Sequence, residues 1–239
     1  MNELLNTILG MATQVTPMEA LGDNPPIDKT GLFDSQGVMV PQPASFYAGL
    51  TVAQRAQLGH DHGIYSFPTT EGVAFIAAAI AGRNFQALEI GAGNGGWCRA
   101  LHIRGTDSYL QRRPDIAKKY AAIRQPTASY GPHVEKLEAI KAVRQYRPKI
   151  VVASWVTQKF RADRFCMRGN ADGVDELRLL ELVDEYIMVG NTAQHGDKMI
   201  LEDIAKGVST HEIAGAMFEN VASRAVHGED FIIWLRRKG

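Results

Sequence analysis

Gln86-Ala87-Leu88-Glu89-Ile90-Gly91-Ala92-Gly93-Asn94-Gly95-Gly96-Trp97 is the stretch on which the fold turns. A short apolar run holding one acid leads into a glycine-rich turn and then into the start of a helix. Glycine is needed where the chain turns with positive φ and where backbone must approach a ligand closely. The helix that follows offers unpaired N–H groups at its start. Taken alone, the spacing Gly91-x-Gly93-x-x-Gly96 also fits the dinucleotide fingerprint. Glu89 shifts the balance, because a carboxylate two residues before the first glycine suits a cationic or hydroxyl-bearing ligand better than a pyrophosphate.

Working outward, short apolar runs alternate with helical stretches, the pattern of a mainly parallel sheet covered on both faces. The expected strands are Ala87 to Ile90, Ile103 to Asp107, Val134 to Leu137, Lys149 to Ala153 and Tyr186 to Val189. The run Lys149-Ile150-Val151-Val152-Ala153 is the clearest, being continuously apolar and β-branched. Helices are expected at Gly95 to Leu101, up to Tyr146, and at Asp175 to Val183. Phe218 to Val226 and Asp230 to Leu235, around His227-Gly228, read as a terminal hairpin. Residues 1–80 form an N-terminal cap in this reading, and 81–239 the α/β domain. The cap holds a short amphipathic helix (Leu4, Leu5, Ile8, Leu9), a Pro/Gly-rich stretch from Gly22 to Pro43, and a helix near Thr51 to Leu58. A further helix starts at an N-cap on Thr69 and runs to about Ala81.

Asp107 falls eighteen residues after Glu89, at the expected C-terminal end of the second strand. Ligands in open α/β sheets bind outside the carboxyl ends of strands, where the order reverses. A carboxylate there accepts both hydroxyl protons of a ribose; alternatively, Asp107-Ser108 simply begins a turn. His195 follows the fifth strand, near the expected pocket rim with Asn191, where a neutral imidazole suits a general base. His60-Asp61-His62 has metal-ligand residue types but no partner of matching spacing, so no metal is expected. His60 to Pro68 reads as a loop, in which Tyr65 and Phe67 suit a lid. Lys159, Arg161, Arg164 and Arg168 face one nearby acid, Asp163, and suit either an anionic acceptor or a solvated loop.

The glycine turn with its preceding acid resembles motif I of the class I S-adenosylmethionine-dependent methyltransferases. Tyr65-Ser66-Phe67-Pro68, Tyr146-Arg147-Pro148-Lys149 and Val183-Asp184-Glu185-Tyr186-Ile187-Met188-Val189-Gly190 look like a group of bacterial and phage methyltransferase-like proteins without an assigned acceptor. The resemblance spans residues 64–236. It implies a Rossmann-like, seven-stranded, mainly parallel sheet with a C-terminal antiparallel hairpin and helices on both faces. It implies S-adenosylmethionine as cofactor, with Glu89, Gly91, Ala92, Gly93, Asn94 and Gly95 cradling its methionine and ribose parts and Asp107 on the ribose diol. Glu138 would meet the adenine amino group, although an exposed helical Glu is an equal reading. Ser154 and Trp155 would stand where the acceptor enters. Ala153-Ser154-Trp155-Val156 replaces the Asn/Asp-Pro-Pro-aromatic sequence of amino-methylating nucleic-acid enzymes, and the interval from motif I to Asp107 is short, implying a clipped helix. The acceptor, small molecule or nucleic acid, is left open.

Composition narrows the rest. The 239 residues are 45% hydrophobic and 22% charged, enough for a sizeable core. Lys plus Arg and Asp plus Glu stand at 26 each, which argues against a broad sequence-independent grip on nucleic acid but not against a local basic patch. Cys98 and Cys166 lie in no metal spacing, and the N-terminus has no basic region or long apolar run, so a cytoplasmic protein without membrane partner is expected. The function expected is methyl transfer, with an inactive cofactor-binding relative and a nicotinamide-dependent oxidoreductase as the alternatives.

Overall fold

The computed structural model describes residues 26–164 and 169–239. The expected helix at Leu4 to Leu9, the start of the Pro/Gly-rich stretch, and Cys166 and Arg168 lie outside the described residues.

A seven-stranded sheet organises the chain. Its strands are β2 (Ala87–Ile90), β3 (Arg104–Asp107), β4 (Glu135–Lys136), β5 (Ile150–Ser154), β6 (Glu185–Asn191), β7 (His211–Met217) and β9 (Asp230–Arg237). Their spatial order is β4-β3-β2-β5-β6-β9-β7. The first five are parallel, and β9 inserts antiparallel between β6 and β7. This is the mainly parallel sheet with a C-terminal antiparallel hairpin that the motif I resemblance implies. A separate two-stranded pair joins β1 (Ser66–Phe67) to β8 (Ala222–Ser223).

Both faces of the sheet are covered, and the period-two alternation of strand side chains decides what each covers. In β5, Val151 and Ala153 pack with Leu88, Ile90, Tyr186 and Met188 on one face. Helices α6 (Ala139–Tyr146), α7 (Glu176–Leu182) and α9 (Met199–Ala205) supply Ala142, Leu179 and Ile200 to that layer. Ile150 and Val152 turn to the other face, where they meet Ile187, Val189, and Ile76 and Ile80 of α3 (Thr70–Ile80). Each of these fully buried aliphatic side chains contributes about 1.5–3 kcal/mol. Two-sided burial is why β5 and β6 read as unbroken apolar runs rather than alternating ones.

The N-terminal elements are α1 (Ala44–Ala48) and α2 (Val52–His62). A capping box between Thr51 and Gln54 starts α2. Leu32, Met39, Tyr47, Leu58, Ile64 and Phe67 form a core cluster here with Ala222. Thr69 caps α3 by accepting from Gly72 N at 2.9 Å.

Three expectations are corrected. His60-Asp61-His62 is the last turn of α2, not a loop, because the helix continues to a left-handed C-cap at Gly63. The first arm of the hairpin is His211–Met217; the 218–226 segment instead carries β8, which pairs with β1. Strand β4 is only two residues long, which explains its weak sequence signal. Helix α4 (Gly96–Ala100) spans five residues, the clipped helix that the short Glu89-to-Asp107 interval implies. Beyond β3, α5 (Pro114–Ala122) lies in the connection to β4. Among the described residues no helix is long and apolar enough to cross a membrane.

Candidate cofactor and acceptor site

From β2 the chain steps outward to β3 and β4, then returns to the other side of β2 for β5 and β6. The carboxyl ends of β2 and β5 therefore flank a topological switch point, the place where open α/β sheets bind ligands. A cavity of about 670 Å³ lies there.

The turn after β2 forms its floor. Gly91 has φ 61°, and a Cβ there would come within 2.6 Å of Val156 Cγ1, so both backbone and packing demand glycine. Gly93, at φ 50°, differs: a Cβ there would meet nothing within 4 Å, and the residue lines the cavity. Bare backbone is thus presented to whatever occupies the space. Ala92 N is bonded to Thr106 O, tying the turn to β3.

One buried and one half-buried acid, Glu89 and Asp107, stand beside this turn. Glu89 is 1% exposed, and its Oε2 accepts from Cys98 N at 2.8 Å. Burial first, and the nearby Asp107 charge to a smaller degree, push its carboxyl up to about 8. Asp107 accepts from Gly93 N (3.1 Å) through one oxygen and from Tyr109 N (2.8 Å) through the other. Burial raises its pKa as well, against these two hydrogen bonds. Each carboxylate oxygen keeps a further lone pair for a ligand donor. No cation among the described residues forms an ion pair with either group, so the site has room for positive charge.

Asn94 lines the cavity, but its amide is engaged. Oδ1 accepts from Met39 N at 2.6 Å and Nδ2 donates to Gly37 O at 3.0 Å, which fastens the glycine turn to the N-terminal region. Gly95, at φ 81°, is the residue before α4.

Glu138 is the clear correction. It does not line the cavity; both its oxygens cap α6, accepting from Ile140 N and Lys141 N at 3.1 Å. An acid placed just ahead of a helix serves its unpaired N–H groups, and β4 is too short to carry it inward. The wall on that side is instead supplied by Gln111, Ala128 and Tyr130.

Beyond β5 the cavity becomes aromatic. Ser154 lines it, and Trp155, in left-handed backbone at φ 56°, donates its amide to Val189 O at 2.9 Å. The Trp155 ring lies 5.0 Å from His195, edge to face, and 6.0 Å from Tyr65. Its buried Nε1–H has no hydrogen-bond partner among the described residues. An unmet buried donor costs about 1–3 kcal/mol.

His195, 7% exposed, accepts from Asn191 N through Nδ1 at 3.0 Å. That bond places the neutral ring's proton on Nε2. Nδ1 is thus taken up by the backbone and does not serve as the general base expected from its position. Asn191 is taken up structurally, capping α8 (Thr192–His195) through Ala193 N and bonding Asp230. Of the two lid aromatics, Tyr65 lines the cavity, whereas Phe67 is fully buried and stacks on Tyr47. In the basic loop, Arg161 pairs with Asp163, and Arg164 with Glu202 and Asp203. Among the described residues no cluster of three His, Cys, Asp or Glu is arranged to hold a metal.

Sequence reasoning missed two features. Lys198, 2% exposed, donates to both oxygens of Glu176 at 2.7 Å, and Tyr186 OH donates to Glu176 Oε1 at 2.5 Å. This buried cluster anchors the start of α9 against α7. Burial holds the Lys198 ammonium below its usual pKa, opposed by Glu176. Arg224 lines the cavity, its guanidinium 3.8 Å from the centre of the Tyr65 ring. The apolar spacing around Lys198 gave a weak hint; the strand-like pattern around Arg224 gave none.

No protein-family model and no curated protein matches the chain. Among solved structures, it is similar to a candidate RNA methyltransferase from Pyrococcus horikoshii, at 10% identity and TM-score 0.40, covering 74% of this chain and 88% of that one. It is also similar to a triple mutant of Spodoptera frugiperda DNMT2, at 11% identity and TM-score 0.33, covering 63% and 49%. Likeness at these scores carries no weight of its own, and the fold description rests on strand order and register.

Proposed function

We propose that the protein binds S-adenosylmethionine at the turn between β2 and α4 and transfers its methyl group to an acceptor entering beside Trp155. The observation that carries this reading is the pair of acids, buried Glu89 and half-buried Asp107, flanking the open backbone of Gly93 with no cation among the described residues paired to either. A pyrophosphate would meet two acids beside the glycine turn, whereas a cation favours the ionised form of Glu89. A ligand with an ammonium, a sulfonium and a ribose diol supplies the charge and the donors that these carboxylates lack.

The residues present fit that group. Gly93 leaves a cradle that a side chain would fill, and Asp107 keeps lone pairs that a diol would use. When bound, the cofactor supplies an intrinsically activated methyl group. The chain's own residues then serve to position the acceptor. Trp155, Tyr65 and His195 enclose its side of the cavity and exclude water, and close alignment supplies most of the rate. With His195 Nδ1 accepting from Asn191 N, no catalytic base is assigned. Thermal unfolding tests the reading: S-adenosylmethionine and S-adenosylhomocysteine should each raise the midpoint, and NADH should not. Stabilisation by NADH alone would favour an oxidoreductase instead.

A further inference from the structure

Arg224 is a guanidinium enclosed in the cavity wall. It is half-buried, lies over the Tyr65 ring at 3.8 Å, and donates to Gln125 Oε1 at 3.3 Å. Among the described residues no carboxylate forms an ion pair with it; the groups acting on its charge are the phenols of Tyr65 and Tyr120. An enclosed guanidinium is normally matched to a carboxylate or phosphate, to which it presents a planar fork of donors.

What adjoins Arg224 narrows the ligand. Tyr65 passes from Arg224 to Trp155, and Trp155 to His195, so a cation and three rings follow one another along the wall. Such a row offers faces and edges on which a flat ring can stack. The segment 108–130, which holds α5, contributes Tyr120, Ile123 and Gln125 to the same cavity. It carries Arg112, Arg113, Lys118, Lys119 and Arg124 against a single acid, Asp115, in a chain whose overall charge is zero. Arg113 is paired with Asp115 and Asp172, whereas Arg112, Lys118, Lys119 and Arg124 are exposed. This segment is basic beside a cavity whose own lining carries Arg224 and Lys198 against Glu89, Asp107, Asp172 and Asp197.

Resting on the methyl-transfer reading, we propose that the acceptor is a nucleotide whose phosphate is held by Arg224 and whose base lies along Tyr65 and Trp155. The positive charge of Glu89's expected partner and the negative charge of Arg224's are then supplied by two different ligands sharing one cavity.

The test is calorimetric titration of the full chain, first saturated with S-adenosylhomocysteine, using adenosine and uridine 5′-monophosphates and the two nucleosides as probes. At least one monophosphate should bind ten-fold or more tightly than its nucleoside. Arg224→Gln should erase that advantage while leaving S-adenosylhomocysteine affinity within two-fold, and Arg224→Lys should retain part of it. A ten-nucleotide single strand binding more tightly than the monophosphates would support the proposal and assign the nucleotide to a polymer; equal binding would support it and assign a free nucleotide. No binding of either monophosphate, or an advantage that survives Arg224→Gln, would overturn it. So would a large loss of S-adenosylhomocysteine affinity in Arg224→Gln, which would give the guanidinium to the cofactor. Failure of S-adenosylhomocysteine to bind is seen before any nucleotide is added, and would overturn the parent reading and this proposal together.

Discussion

Asp107 accepts the Gly93 amide hydrogen at 3.1 Å, so the carboxylate that ends β3 holds the shape of the turn that ends β2. One side chain thereby shapes the turn and offers lone pairs to its occupant. Asp107→Ala should lower S-adenosylhomocysteine affinity ten-fold or more, since hydrogen bonds to charged groups contribute about 1.5–3 kcal/mol. Gly93→Arg should abolish binding, its side chain filling open space, while the strained φ costs the fold about 1–2 kcal/mol. Calorimetry and thermal melts on both variants check this; full affinity in either contradicts the placement.

Glu89 gives the site a pH dependence of fixed sign. Its carboxyl is raised to about 8 in the folded chain, against an ordinary value near 4.5. The folded state therefore holds a proton that the unfolded state releases between these values. This part of the stability is complete below the ordinary value and declines as pH rises toward 8. Binding of a cation runs the other way, because it favours the ionised carboxylate. S-adenosylmethionine affinity should thus improve from about pH 6 to about pH 9, and Glu89→Gln should flatten both profiles. Affinity that falls over that range would contradict cation recognition by Glu89.

Glu138 separates a helix cap from a ligand contact. Because both its oxygens serve α6, Glu138→Ala should cost about 1 kcal/mol of stability and leave S-adenosylhomocysteine affinity unchanged. A ten-fold loss of affinity without loss of stability would restore the adenine role.

Much of this was legible in sequence, for reasons that differ by element. Strands β5 and β6 are buried on both faces, so their apolar runs announce themselves. The glycine turn is dictated by local backbone geometry and needs no tertiary information. Glu138 was ambiguous because an acid ahead of a helix serves a cap and a ligand equally well until β4's length is known. The imidazole of His195 lines the cavity, yet its tautomer depends on Asn191 N, a contact no spacing reveals. Arg224 was invisible: its segment has a strand-like pattern, and its neighbour Tyr65 lies more than a hundred residues earlier.

The Lys198–Glu176 pair predicts a test of the scaffold. Lys198→Met leaves a buried carboxylate uncompensated and should cost about 3–5 kcal/mol. Changing Glu176 to Gln in the same chain should recover a large part of the loss. Chemical denaturation of the single and double variants measures both; an unchanged midpoint in Lys198→Met would show that the pair is not formed.

The central claim is that this cavity binds S-adenosylmethionine. Isothermal titration of the purified full chain with S-adenosylmethionine and S-adenosylhomocysteine, with NADH as control, addresses it directly. One site of micromolar affinity is expected for each of the first two and none for NADH. Folded protein that gives no heat with either, or that binds NADH alone, would contradict it.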